Sequence, residues 1–99
     1  MAGPEARLRT AIVKRLRAYS GFWVVIPQSM YTSQIGLPDI VGCYAGKFIG
    51  LEVKRPGRLH TLTARQSAVL ERVRREGGRS AVVTSVNEAI DFVFNDPPL

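Results

Sequence analysis

The chain has 99 residues and 45% hydrophobic content, which suits one globular domain with a modest core and excludes two. No apolar run approaches the roughly 20 residues of a membrane span. The first residues contain no charged-then-apolar leader, so secretion is not expected. Fourteen Lys and Arg against eight Asp and Glu give a net charge of +6, which favours a polyanionic partner such as nucleic acid over a merely soluble basic surface. The one cysteine excludes an intrachain disulfide and fits a reducing compartment.

A helix is predicted at the start of the chain. Pro4 suits the first turn of a helix, and Gly21 is a natural stop. One face carries apolar side chains at helical spacing: Leu8, Ile12, Leu16 and Tyr19. Basic side chains occupy much of the remainder, which is the solvated side: Arg7, Arg9, Lys14, Arg15 and Arg17. The apolar face is expected to pack against a sheet.

A short strand is predicted next, at 22–27, because this run is β-branched and aromatic and ends at Pro27. Phe22 and Trp23 are expected in the core of the domain. The segment that follows, 28–36, is polar, and we predict an irregular loop there.

Two further strands, 39–45 and 47–55, are predicted to form an antiparallel hairpin around Ala45-Gly46. Cys43 is expected to be a packed residue of the first of these strands, not a reactive thiol. A hairpin with this turn places the start of its first strand beside the end of its second.

The last third of the chain is predicted to contain two helices separated by a strand. Thr63 is the expected N-cap of the first helix, which ends at Gly77-Gly78. A strand at 80–84 and a short helix capped by Ser85 follow. The resulting order, αβββαβα, predicts one α/β domain.

Three ionisable side chains interrupt the apolar hairpin: Asp39, Glu52 and Lys54. Side chains alternate along a strand, so Glu52 and Lys54 point to one face, and the hairpin returns Asp39 close to them. Two carboxylates at one sheet edge suit a divalent hard cation whose other ligands are water and phosphate oxygens. The alternative is that Glu52 and Lys54 form a solvated pair and that Asp39 is a turn residue after Pro38.

Together with their flanks, these residues resemble a known family. Pro38-Asp39 followed by Glu52-Val53-Lys54 resembles the PD-(D/E)XK nuclease superfamily. The fuller pattern resembles its VRR-NUC branch, with Gly36-Leu37-Pro38-Asp39, the Ala45-Gly46 turn, Glu52-Val53-Lys54-Arg55-Pro56 and Gln66. The resemblance covers nearly the whole chain, and we treat residues 1–99 as one domain. It implies a restriction-endonuclease-like α/β fold with a central mixed sheet flanked by helices.

The resemblance implies a Mg2+- or Mn2+-dependent nuclease that hydrolyses DNA phosphodiester bonds and leaves a 5′-phosphate and a 3′-hydroxyl. The metal ligands that it implies are Asp39, Glu52, the main-chain carbonyl of Val53, and Glu5. Lys54 would orient the nucleophile or stabilise the charge of the transition state. Gln66 would complete the site.

Glu5 and Gln66 both lie on the apolar faces of their predicted helices, which supports a place in the site. Each also has an ordinary interpretation. Glu5 is a first-turn carboxylate favoured by the helix dipole, and Gln66 forms a capping box with Thr63. For Gln66 both roles are compatible.

Further residues near the motif are candidates for DNA contacts: Arg55, Arg58, Arg65, Tyr31, Thr32 and Ser33. The arginines are expected to bind phosphates beside the scissile one, with ordinary solvated side chains as the alternative. The three polar residues are candidates for contacts to the DNA backbone or to a flipped base, and plain loop residues are the favoured alternative.

A chain this short has no target-recognition domain, so we expect recognition of DNA structure, such as a branch, a flap or a four-way (Holliday) junction. A homodimer is also expected, because two sites would allow symmetric cuts at a junction. The expected setting is the cytoplasm of a bacterial cell or a phage-infected host, without a membrane. The alternative function is a non-catalytic nucleic-acid-binding module that keeps the fold. Such a module should have lost Asp39, Glu52 or Lys54, and none is missing.

Overall fold

The computed structural model describes residues 3–95. Its helices are α1 (Pro4–Tyr19), α2 (Met30–Ile35), α3 (Ala64–Arg75) and α4 (Val86–Phe94). Its strands are β1 (Phe22–Val25), β2 (Ile40–Tyr44), β3 (Lys47–Val53) and β4 (Arg79–Val83). A single 3-10 turn, Leu59–Thr61, lies between β3 and α3. No helix in this part of the chain is long and apolar enough to cross a membrane.

The strands form one mixed sheet in the order β1-β2-β3-β4. β1, β2 and β3 are antiparallel neighbours, and β4 runs parallel to β3 after the α3 crossover. The β2–β3 turn is Ala45-Gly46, as predicted, and its residues have φ values of 53° and 77°. Two successive left-handed residues are what a two-residue type I′ hairpin turn requires. The turn therefore sets the register that positions both ends of the hairpin.

α1 and α4 cover one face of the sheet, and α3 packs against β3 and β4 on the other. The core on the α1 side consists mainly of aliphatic residues, with one tryptophan: Ile12, Val13, Leu16, Trp23, Ile40, Ile49, Leu51, Val53, Val83, Ala89, Ile90 and Val93. Trp23 lies opposite Gly42, where a Cβ would come within 2.4 Å of the indole ring. The glycine thus makes room for the ring, which confirms the expected place of Trp23 in the core.

The prediction of an irregular loop at 28–36 is wrong, because this segment contains the short helix α2. The Ser29 side chain accepts a hydrogen bond from the Thr32 N–H, and the Thr32 hydroxyl accepts one from the Ser29 N–H. Gly36, with φ of 72°, then ends the helix in the left-handed conformation. A reciprocal cap and a glycine stop stabilise a helix in a polar segment that has no apolar periodicity.

The predictions for Phe22 and Cys43 are also wrong, because both side chains are exposed. They pair across β1 and β2 and point away from α1. α3 covers only β3 and β4 on that face, so nothing in the described part of the chain covers this pair.

Candidate active site

The hairpin brings Asp39 and Glu52 together. The pairing of Ile40 with Leu51, continued by one residue, places Asp39 opposite Glu52 at the end of β3. Both carboxylates are buried, with 4% and 3% of their residues' surface exposed. Asp39 Oδ2 accepts a hydrogen bond of 2.7 Å from the Val53 N–H. This bond connects the residue before β2 to the end of β3.

Lys54 and Gln66 both contact the Glu52 carboxylate. Lys54 Nζ lies 3.7 Å from Glu52 Oε2, and Gln66 Nε2 donates a hydrogen bond of 3.1 Å to the same oxygen. Gln66 Oε1 also accepts a hydrogen bond of 2.9 Å from the Thr63 N–H, while the Thr63 hydroxyl accepts one from the Gln66 N–H. Gln66 therefore caps α3, as predicted, and also contacts Glu52. Its part in a catalytic site stays a prediction.

Arg9 of α1 is a site residue that the sequence analysis missed. Its Nη1 lies 3.9 Å from Asp39 Oδ1, and only 18% of its side chain is exposed. Its position among the basic side chains of α1 predicts a solvated arginine, and this prediction is wrong. A signal was available, since Arg9 lies four residues after Glu5 and so shares the face of the helix that Glu5 occupies.

Burial raises the pKa of both carboxylic acids. The pKa of Glu52 rises to about 8, first because of burial and then because the Asp39 carboxylate repels its charge, while Lys54 opposes the rise. Burial also raises the pKa of Asp39, against the opposing effects of the Val53 N–H and Arg9. Two adjacent carboxylates that resist ionisation are stabilised when a further positive charge comes between them.

Glu5 is close enough to Glu52 for their charges to interact, but it does not form a metal-binding cluster with Asp39 and Glu52. Its negative charge contributes to the raised pKa of Glu52, as the smallest of the causes named for it. Within residues 3–95, no three His, Cys, Asp or Glu side chains are close enough together to hold a metal ion. The role of Glu5 as a metal ligand therefore stays a prediction.

The donor atoms at the site fit a divalent hard cation. The hydrogen bonds described above use Asp39 Oδ2 and Glu52 Oε2, which leaves Oδ1 and Oε1 as candidate ligands. The N–H and C=O of one strand residue point to the same side, so the Val53 carbonyl faces the side of Asp39. Magnesium commonly binds to one or two carboxylates and completes its octahedron with water and phosphate oxygens. Two carboxylates and a carbonyl satisfy this requirement.

Most of the predicted DNA-contact residues have exposed side chains: Arg55, Arg58, Arg65, Tyr31 and Ser33. Arg55 follows Lys54 and Arg65 precedes Gln66, so two arginines border the site in sequence. The Thr32 hydroxyl caps α2 through Ser29, which gives this residue a structural role. The contacts of all six residues with DNA stay predictions.

Comparison with known proteins identifies the fold. No protein-family model matches the chain, and no curated protein matches it. Among solved structures, a VRR_NUC domain protein matches with a TM-score of 0.71 and 16% sequence identity, over 92% of this chain and 85% of that chain. The chain has the fold of a VRR-NUC domain. This likeness confirms the predicted VRR-NUC fold, and the mixed four-stranded sheet flanked by helices is consistent with the restriction-endonuclease-like class.

In the VRR-NUC fold of this chain, the predicted motif residues converge at one end of the sheet. Asp39 directly precedes β2, and Glu52 lies in β3. Lys54 follows β3, and α3 supplies Gln66. α1 adds Arg9 from the opposite face. The hairpin and the two helices thus bring residues from separate parts of the chain to one place.

Proposed function

We propose that this protein is a divalent-metal-dependent nuclease that hydrolyses phosphodiester bonds in DNA. The observation that carries the proposal is the adjacent, buried pair of Asp39 and Glu52, whose pKa values are raised and which Lys54 borders. Burying two neighbouring carboxylates is unfavourable unless a cation completes the site. The fold of a VRR_NUC domain protein and the net charge of +6 support a nucleic-acid substrate.

Asp39, Glu52 and the Val53 carbonyl would hold Mg2+ or Mn2+, with Glu5 as a further predicted ligand. When bound, such an ion polarises a phosphoryl oxygen and lowers the pKa of a coordinated water. Gln66 fixes the orientation of the Glu52 carboxylate through its 3.1 Å hydrogen bond. Asp39 is fixed in the same way by the Val53 N–H.

Lys54 supplies a positive charge at the reacting phosphate. Its ammonium lies 3.7 Å from Glu52 Oε2, and only 11% of the side chain is exposed, so its position is restricted. From there it would stabilise negative charge that develops on the phosphoryl oxygens or orient the attacking water. The products would carry a 5′-phosphate and a 3′-hydroxyl.

For the substrate, we propose branched DNA, such as a flap or a four-way junction. Within residues 3–95, every strand belongs to the one mixed sheet and the helices flank it, which leaves little surface with which to read base sequence. Arg55, Arg58 and Arg65 would bind the phosphates on either side of the cut. A homodimer would present two sites to a junction, and light scattering at working concentrations should give twice the 10.9 kDa mass of one chain. A monomeric mass with full junction cleavage would contradict the dimer.

The test is a cleavage assay on linear, flap and four-way-junction DNA of matched sequence. Each substrate is incubated with Mg2+, Mn2+ or EDTA, with the wild type and with Asp39→Asn. We expect cutting that needs the metal, prefers branched DNA and is lost in Asp39→Asn. Cutting in EDTA would contradict the metal mechanism. Tight binding without cutting under every metal condition would favour the alternative, a non-catalytic nucleic-acid-binding module.

A further inference from the structure

Arg9 occupies an unusual position for an arginine of α1. Arg15 on the same helix is exposed, whereas Arg9 is only 18% exposed and points to the carboxylate of Asp39. The separation of 3.9 Å between Arg9 Nη1 and Asp39 Oδ1 is longer than a hydrogen bond. The guanidinium is therefore held beside this oxygen by charge and not by a directed bond.

The oxygen that Arg9 faces is the candidate metal ligand of Asp39. Asp39 Oδ2 accepts the hydrogen bond from Val53, so Oδ1 is the atom that is left for a cation. An ion bound there would lie close to the guanidinium, in a site that burial shields from water. Two positive charges at such a distance repel strongly in a medium less polar than water. Arg9 and the metal ion therefore compete for Asp39.

A DNA phosphate can remove this competition. A guanidinium binds phosphate oxygens through two parallel hydrogen bonds, which is a better arrangement than its 3.9 Å approach to Asp39. A phosphate that draws Arg9 away from Oδ1 also brings negative charge to the site. Both effects strengthen the binding of a divalent cation.

We propose that Arg9 couples metal binding to DNA binding. In the free protein Arg9 acts as the counter-ion of Asp39 and lowers the affinity for the metal. When DNA is bound, Arg9 pairs with a phosphate at or beside the scissile position and leaves Asp39 to the ion. This inference rests on the proposed nuclease function and adds Arg9 to it as a positioning residue.

The first test measures binding of Mn2+ alone to the free protein, from the electron paramagnetic resonance signal of the unbound ion. Arg9→Gln should bind Mn2+ about tenfold more tightly than the wild type, since the competing charge is gone. Arg9→Lys keeps the charge and should stay near the wild type. Arg15→Gln removes the same charge from an exposed position of α1 and should change the affinity far less.

The second test measures the reverse effect, because coupling between two ligands is reciprocal. The affinity for labelled four-way-junction DNA is measured by fluorescence anisotropy with Mn2+ and with EDTA. A Lys54→Ala background slows cleavage, so that the affinity is measured before the DNA is cut. Mn2+ should raise the DNA affinity several-fold more with Arg9 present than in the double variant with Arg9→Gln.

The outcomes separate this inference from the proposed function. Equal or weaker Mn2+ binding by a folded Arg9→Gln protein would overturn the role of Arg9 and leave the nuclease proposal standing. Absence of Mn2+ binding in every variant would overturn both. Circular dichroism checks folding, and Arg9→Met, which keeps the apolar stem, replaces Arg9→Gln if that variant unfolds. A purely structural role predicts a lower melting temperature with no gain in Mn2+ affinity.

Discussion

Glu52 is a residue that the proposed function requires but that is unfavourable for the stability of the metal-free protein. Its carboxyl is buried at the end of β3, and its pKa is raised from 4.5 to about 8. Gln66 and Lys54 hold the same oxygen, so the side chain cannot turn to solvent without losing both contacts. Such a residue destabilises the metal-free protein and becomes favourable only when a cation is bound.

The metal-free protein should therefore become less stable as the pH rises. Between pH 4.5 and about 8 the folded state keeps a proton on Glu52 that the unfolded state has lost, so the free energy of unfolding falls across this window. At about 1.4 kcal/mol for each pH unit, we expect the free energy of unfolding to fall by about 5 kcal/mol across this window, measured by urea unfolding in EDTA. Glu52→Gln should abolish most of this fall, whereas Glu71→Gln, which changes an exposed residue, should retain it. An unchanged pH dependence in Glu52→Gln would show that Glu52 is not the group responsible.

Gln66 allows its two roles to be separated by a matched pair of variants. Thr63→Ala removes the hydroxyl that accepts a hydrogen bond from the Gln66 N–H but leaves the Gln66 contact with Glu52. Gln66→Ala keeps the Thr63 hydroxyl but removes the side chain that accepts from the Thr63 N–H and donates to Glu52. Each should lower the free energy of unfolding by about 1 kcal/mol. Only Gln66→Ala should also reduce the rate of DNA cleavage at saturating metal, by about tenfold. Equal cleavage rates in the two variants would show that Gln66 only caps α3 and does not contribute to cleavage through Glu52.

At the scale of elements, the β2–β3 hairpin fixes the site, and the sequence could predict it. A short turn with glycine and the two-residue period of strands determine which strand ends meet, so the sequence predicts that Asp39, Glu52 and Lys54 lie together.

The two-residue period does not show which face of β1 and β2 is covered by a helix, because that depends on where α3 packs. Phe22 and Cys43 were misplaced for this reason. Arg9 was missed because arginines occur around much of α1, and composition does not show which one points inward.

The turn itself is not optimal, since Ala45 is held at a φ of 53°. A left-handed conformation is unfavourable for alanine and is tolerated much better by asparagine, which precedes glycine in favoured type I′ turns. Ala45→Asn should raise the free energy of unfolding by about 0.5–1 kcal/mol and leave DNA cleavage unchanged. Gly46→Ala is the opposite control and should destabilise the protein, because it adds a Cβ at a φ of 77°. Destabilisation by Ala45→Asn would contradict the assigned turn.

At the scale of the whole molecule, helices flank both faces of the sheet. At one end of this sheet the fold brings together Asp39, Glu52, Lys54, Gln66 and Arg9. The charge of +6 is distributed over a chain whose two buried carboxylates are surrounded by Arg9, Lys54 and the Gln66 amide. The positive net charge attracts a polyanion to the surface, and the two carboxylates together form one negatively charged site for a cation. The cellular setting, a bacterium or a phage-infected host, stays a prediction.

The most direct test of the catalytic account compares wild type and Lys54→Ala on the same branched DNA under saturating Mg2+ or Mn2+. Cleavage is followed on a gel, and DNA binding is measured in parallel. Lys54→Ala should still bind the DNA but cleave it about 100- to 1,000-fold more slowly, because a charge that acts mainly on the transition state is gone. Full cleavage by Lys54→Ala, or cleavage by the wild type in EDTA, would contradict the proposed mechanism.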